Sequence, residues 1–176
     1  MRLLARTAAH LAQQGSAFAV IGAAALAVHG IARSTQDIDV LVTDRRCLDG
    51  SYWASLRAGG VEETVHRGDE SDPLAGVVRL RAVGETAIDL VVGRARWQTE
   101  VIHRATPATL EGVEVRAACP ADLILLKLYA GGPQDAWDIG QLLSIGDTAA
   151  LARDVEERLP DLPQDARRLW TRIRAA

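Results

Sequence analysis

Apolar and polar positions along this chain change rhythm several times, and each change marks an element. Leu3, Leu4, Ala8 and Leu11 recur at helical spacing, which predicts a helix over 2–14, stopped by Gly15-Ser16. The run Ala-Phe-Ala-Val-Ile at 17–21 reads as an apolar strand. A sharp turn at Gly22 follows, then a short Ala-rich helix ending near Gly30. In the next strand Ile38, Val40 and Val42 take one face, while Asp37 and Asp39 share the other, because strand side chains alternate with period 2. Residues 45–56 are expected to be helical, with Gly59-Gly60 as the break. Residues 61–66 read as a strand and 68–76 as a polar loop. Two alternating runs, 77–83 and 86–92, flank Gly84-Glu85 and predict a hairpin. Its second strand puts Ala87, Asp89 and Val91 on one face, and Ile88, Leu90 and Val92 on the other.

A helix over 94–104 and a short strand pair over 107–117 come next, and the rhythm then turns helical. Residues 120–130 are apolar almost all round, the mark of a buried helix. Gly131-Gly132-Pro133 ends it, and helices over 133–144, 147–159 and 163–174 complete the chain. The pattern predicts an α/β fold: a small mixed β-sheet flanked by helices, with a C-terminal helical region. Residues 1–118 would form the core, and 119–176 a helical region packed on it as a single compact unit.

Composition narrows the function more than the fold. A chain of 176 residues is long enough to bury a real core. Its net charge of −3 argues against a generally basic nucleic-acid binder. No apolar run approaches the roughly 20 residues of a membrane span, and the start shows no secretory h-region, so no membrane association is expected. Cys47 and Cys119 are too isolated for a disulfide framework, and the four histidines share no zinc-ligand spacing. A reducing, cytoplasmic setting is the expectation. Among 20 Lys and Arg residues, Lys127 is the single lysine, so it calls for an explanation of its own.

Several residues could carry chemistry. A strand running through Gly22 into a helix gathers backbone N–H groups where a phosphate binds well; a plain packing turn would look the same. Asp37 and Asp39, on one face of an otherwise apolar strand, need solvent, a partner or a cation. Mg²⁺ takes one or two carboxylates together with substrate phosphate oxygens. Asp89 would supply a third carboxylate from a neighbouring strand, bridging to an ion or taking a proton from an attacking hydroxyl. Lys127 reads either as a point charge on a triphosphate or as a snorkelling partner of Asp135 or Asp138. Arg33 could touch nucleotide phosphates or pair with an acid, and His29 reads as structural.

Together these residues resemble the nucleotidyltransferase superfamily with the DNA polymerase β-like fold. Its signature appears here as Ile21-Gly22-Ala23, thirteen intervening residues, and Asp37-Ile38-Asp39. Within that superfamily the chain looks most like the AbiEii/MenT-type toxin-like group. That likeness is carried by Gly-Ala-Ala-Ala-Leu-Ala, Arg33-Ser34-Thr35-Gln36-Asp37-Ile38-Asp39, Ile88-Asp89-Leu90, Leu123-Ile124-Leu125-Leu126-Lys127-Leu128 and Asp135-Ala136-Trp137-Asp138-Ile139. The resemblance implies Mg²⁺ (or Mn²⁺) as cofactor, held by Asp37, Asp39 and Asp89, and a nucleoside triphosphate as substrate. It implies that Gly22, Ala23 and Arg33 bind the nucleotide, with Lys127 neutralising its charge and Asp135 or Asp138 supporting it.

The acceptor it implies is a hydroxyl of tRNA or protein, with a cognate antitoxin as partner. A small-molecule, antibiotic-type acceptor and a catalytically silent nucleotide- or partner-binding module of the same fold are the alternatives. Ala23 departs from the usual Gly or Ser and lacks the hydroxyl. Cys119 stands where a capping Ser is expected. Arg167, Arg168, Arg172 and Arg174 could form a basic tail for RNA, while packing through Leu169, Trp170 and Ile173 is the favoured reading. On this reading Asp39→Asn should fold like the parent chain yet lose nearly all transfer of labelled nucleotide; comparable transfer by the variant would exclude the assignment.

Overall fold

The structure, a computed structural model, describes residues 2–175. The chain divides into two compact units: one runs up to Val28 and resumes over Ala32–Ala118, and the other combines His29–Ile31 with the stretch from Cys119 onward.

The first unit holds α1 (Leu3–Gln13), β1 (Phe18–Val20), α2 (Gly22–Val28), β2 (Asp37–Val42), α3 (Ala54–Ala58), β3 (Glu62–Arg67), β4 (Gly76–Arg81), β5 (Ala87–Val92), α4 (Arg96–Arg104), β6 (Thr106–Leu110) and β7 (Val113–Ala117). Its strands form one seven-stranded mixed sheet in the order β3-β4-β5-β2-β1-β7-β6. β2 runs parallel to β5 and antiparallel to β1, while β4 and β5 form the antiparallel hairpin that the turn at Gly84 predicts. The alternation read from the sequence decides which face is covered. Ile38, Val40 and Val42 are buried beside Ile88, Leu90 and Val92 in the register of the two strands. Helices α1 and α4 lie against the sheet, α1 on β5 and β7 and α4 on β1 and β2.

The helix expected over 45–56 is a correction. The segment forms two 3-10 turns, Arg45–Leu48 and Gly50–Trp53, before the short α3. Asp49 between them is extended (φ −96°, ψ 125°), so a continuous helical ladder is broken there. The indole N–H of Trp53 donates to the Cys47 carbonyl at 2.7 Å, taking an acceptor that a continuous helix would use itself.

The second unit is helical, with α5 (Pro120–Ala130), α6 (Pro133–Leu143), α7 (Thr148–Arg158) and α8 (Gln164–Ala175). α5 touches each of the other three helices, which is why it is apolar nearly all round. Pro120 and Pro133 open their helices at positions where a missing N–H costs nothing. At the N-cap of α5 the Cys119 thiol turns to the buried Asp122 Oδ2, 2.9 Å away, in place of the backbone bond a serine would make. α8 buries Ala166 and Trp170, in line with the packing reading of the tail. Its Arg167 donates to the carbonyls of Leu162 and Pro160, while Arg174 lies over the Trp170 ring. Among the described residues no helix is long and apolar enough to cross a membrane.

Gly131 ends α5 in the left-handed conformation, at φ +69°, and a Cβ there would meet only the Leu128 carbonyl oxygen, at an ordinary contact distance of 3.9 Å. Conformation alone therefore sets the cost of a side chain there. Gly131→Ala is expected to lose about 1–2 kcal/mol in urea denaturation of the full chain, and Gly131→Asn less, since asparagine tolerates this backbone region. Equal stability of all three chains would show that the cap contributes nothing.

Candidate active site

The aspartates predicted on separate strands meet because β2 and β5 pair in parallel. The register sets Asp39 directly opposite Asp89. On the other side of β5 the hairpin register sets Arg79 opposite the same Asp89. Asp37, two residues before Asp39, projects from the same face of β2. All four residues are half-buried, while their neighbours Ile38, Val40, Ile88, Leu90, Val78 and Leu80 are buried on the reverse face. A polar row thus crosses three strands of an otherwise apolar sheet.

Each carboxylate has its own environment. Thr35 Oγ1 stands 2.8 Å from the Asp37 carbonyl and 3.1 Å from its Oδ1, tying the start of β2 to the loop before it. Arg79 Nη2 donates to Asp37 Oδ2 at 2.9 Å. Arg79 Nε lies 3.1 Å from Asp89 Oδ1, but the pair is misaligned for a hydrogen bond, and both buried atoms are left without one. Burial raises the Asp89 carboxyl above its ordinary range and the charge of Asp37 adds to this, against the opposing pull of Arg79 and Arg81.

Asp39 is placed by the Gly22 turn. Ile21 N–H donates to the Asp39 carbonyl at 2.9 Å, extending the β1–β2 pairing to the edge of the turn. Gly22 follows at φ +60°, and a Cβ built there would stand 2.9 Å from Asp39 Cγ and closer still to Oδ2. Glycine is required twice over, for its backbone conformation and for the carboxylate against it. The sequence leaves Gly22 open between a phosphate turn and a plain packing turn; the structure adds that it makes room for Asp39. Ala23 is half-buried in the first turn of α2, and Arg33 is half-buried in the segment before β2.

The second unit brings together Lys127, Asp135 and Asp138. Lys127 Nζ donates to Asp135 Oδ1 at 3.1 Å and to Asp138 Oδ2, whose side chain is fully buried. The other Asp135 oxygen accepts the Gly132 N–H at 2.9 Å, so the lysine's partner also caps α6. Asp135 therefore carries both a helix-terminus role and an ion-pair role.

Arg79 is the residue that sequence reasoning missed. The hairpin centred on Gly84 already contained the signal, because residues equally distant from the turn face each other, and Arg79 and Asp89 are each five away.

Whether this face suits a divalent cation is decided by its donors. As the side chains stand, no group of three or more acidic, His or Cys residues among the described residues is set to hold a metal ion. The Arg79 guanidinium bridges Asp37 and Asp89 instead. The donors themselves fit a hard ion: carboxylate oxygens on one face, including the buried Asp89 Oδ1 that lacks a hydrogen bond.

Residues 2–148 match the family described as "Nucleotidyltransferase of unknown function (DUF6036)". The chain belongs to this family. It is a nucleotidyltransferase, as the paired aspartates and glycine turn lead one to expect. Solved structures share its fold. ANT(2″)-Ia in complex with adenylyl-2″-tobramycin is 15% identical with a TM-score of 0.50, the match covering 98% of this chain and 95% of that one. The lincosamide antibiotic adenylyltransferase LnuA, lincomycin-bound, is 13% identical with a TM-score of 0.53, covering 81% and 96%. An antigenic nucleotidyltransferase-like protein from Paracoccidioides brasiliensis is 16% identical with a TM-score of 0.51, covering 94% and 90%. A comparison with curated proteins finds no match.

The contact between Gly22 and Asp39 is open to test in this nucleotidyltransferase. Gly22→Ala must displace the carboxylate, and misplacing a reacting group by about 1 Å can cost on the order of 10²-fold in rate. A loss of that size in initial transfer rate is expected while thermal melting stays cooperative. An unchanged rate would show that the carboxylate does not depend on the turn.

Proposed function

We propose that this nucleotidyltransferase moves a nucleoside monophosphate from a nucleoside triphosphate to an acceptor hydroxyl of tRNA or protein, as the toxin-like group does, with a cognate antitoxin as its partner. The observation that carries the transfer chemistry is the pairing of Asp39 with Asp89 across β2 and β5, with Gly22 turned against Asp39.

In the reaction the acceptor oxygen forms a bond to the α-phosphorus. The bond from that phosphorus to the bridging oxygen breaks, and pyrophosphate leaves. Asp37, Asp39 and Asp89 would hold Mg²⁺ or Mn²⁺, which when bound supplies neutralisation of the charge on the triphosphate oxygens. Asp89 receives the proton of the acceptor hydroxyl. Gly22 and Ala23 offer backbone N–H groups to phosphate at the start of α2, and Arg33 adds a cation to the nucleotide. Lys127 carries charge for the triphosphate, held in place by Asp135 and Asp138. Most of the acceleration then comes from position and fixed charge.

Two other outcomes have support. ANT(2″)-Ia, in complex with adenylyl-2″-tobramycin, and LnuA, a lincosamide antibiotic adenylyltransferase, make a small-molecule hydroxyl the second acceptor class. Ala23, in place of a residue with a hydroxyl or none of its bulk, supports a module that binds nucleotide without transfer.

The test is a transfer assay with each α-labelled nucleoside triphosphate and Mg²⁺, offered total RNA, lysate protein, and a panel of aminoglycosides and lincosamides. Label in RNA or protein, lost in Asp89→Asn, is the expected result. Label confined to an antibiotic would move the acceptor to the small-molecule class. Nucleotide-dependent thermal stabilisation with no label in any fraction would establish the silent module instead.

A further inference from the structure

Transfer chemistry explains the three aspartates but gives no reason for a guanidinium across two of them. Arg79 is fixed opposite Asp89 by the hairpin register and reaches diagonally to Asp37 on the next strand but one. Its side chain is about one-third exposed, so it can leave toward solvent without unpacking the buried face of the sheet.

We propose that Arg79 is a built-in counter-cation that closes the carboxylate face in the absence of nucleotide and has to swing away before a divalent ion can settle there. The inference rests on the reading of Asp37, Asp39 and Asp89 as metal carboxylates. The two arms of the bridge are unequal, and this makes release feasible. The arm to Asp37 is a hydrogen bond of 2.9 Å, whereas the arm to Asp89 is a contact of 3.1 Å without hydrogen-bond alignment.

Arginine cannot be switched off by losing its proton, so only movement can open the face. A guanidinium leaves a carboxylate readily for a better-matched anion, and phosphate oxygens offer it the same forked geometry. An arriving triphosphate would draw Arg79 away as it brings the metal. Nucleotide and metal then favour each other's binding, and each strengthens the other by the same factor.

The test measures Mn²⁺ binding to the full chain from the electron paramagnetic resonance signal of the free ion, with and without a non-hydrolysable triphosphate analogue. Arg79→Met keeps the length and apolar stem but removes the charge. It is expected to bind Mn²⁺ alone about ten-fold more tightly than the parent, within the usual range of such couplings, and to gain less from the analogue. Arg79→Lys keeps the charge but lacks the fork that spans both carboxylates, so it should shift the same way by a smaller factor. It serves as the reporter if the methionine variant does not fold.

Equal or weaker Mn²⁺ binding by the folded variants, with the parent still binding Mn²⁺ in the presence of the analogue, would overturn the gate and leave Arg79 a structural staple. Absence of Mn²⁺ binding by the parent even with the analogue, with Asp89→Asn indistinguishable from it, would overturn the metal reading itself.

Discussion

Two ionised side chains set directly opposite each other on neighbouring strands repel, and the first unit of this protein is arranged around holding such a pair. Asp39 and Asp89 are forced into register by the reverse faces of their strands, where Ile38, Val40 and Val42 lie buried with Ile88, Leu90 and Val92. Burying an aliphatic side chain of this kind is worth about 1.5–3 kcal/mol, so six of them outweigh one repulsive pair. A slip of one residue would expose all three on that strand. The apolar face fixes the register, and the register creates the polar face.

The surrounding residues answer the charge so produced. Arg79 enters from the adjoining hairpin, the Thr35 hydroxyl meets the entrance of β2, and Gly22 gives the Asp39 carboxylate room that any other residue would fill. The second unit repeats the theme in another form, with the single lysine held by one fully buried carboxylate and one helix-capping carboxylate. In both units charge is concentrated by an apolar frame and fixed by short-range partners.

Elements whose side chains obey a clear period were legible in the sequence. The faces of β2 and β5, the hairpin around Gly84 and the buried helix α5 follow from alternation, turn chemistry and all-round apolarity. The segment after β2 was not, because its helical spacing is overridden by an extended Asp49 and a tertiary bond from Trp53 to the Cys47 carbonyl. The site was legible as a list of residue types and less so as an arrangement. Asp37 and Asp39 announce themselves within one strand, but the pairing of Asp39 with Asp89 depends on strand order, which local pattern does not encode. Arg79 went unread for a different reason: an arginine on a strand looks like any solvated residue until its partner across the hairpin is counted off.

The strand order has a further consequence at the margins of the sheet. β3 and β6 are the outermost strands, where unpaired backbone groups could recruit a strand from another molecule. β3 presents Glu62, Glu63, His66 and Arg67 within six residues, and charged side chains along an edge discourage a newcomer strand from pairing there. β6 carries Pro107, which has no N–H to offer a newcomer. Both borders are thus defended against edge-to-edge aggregation, and a sheet with a strongly charged face inside it is kept from growing sideways.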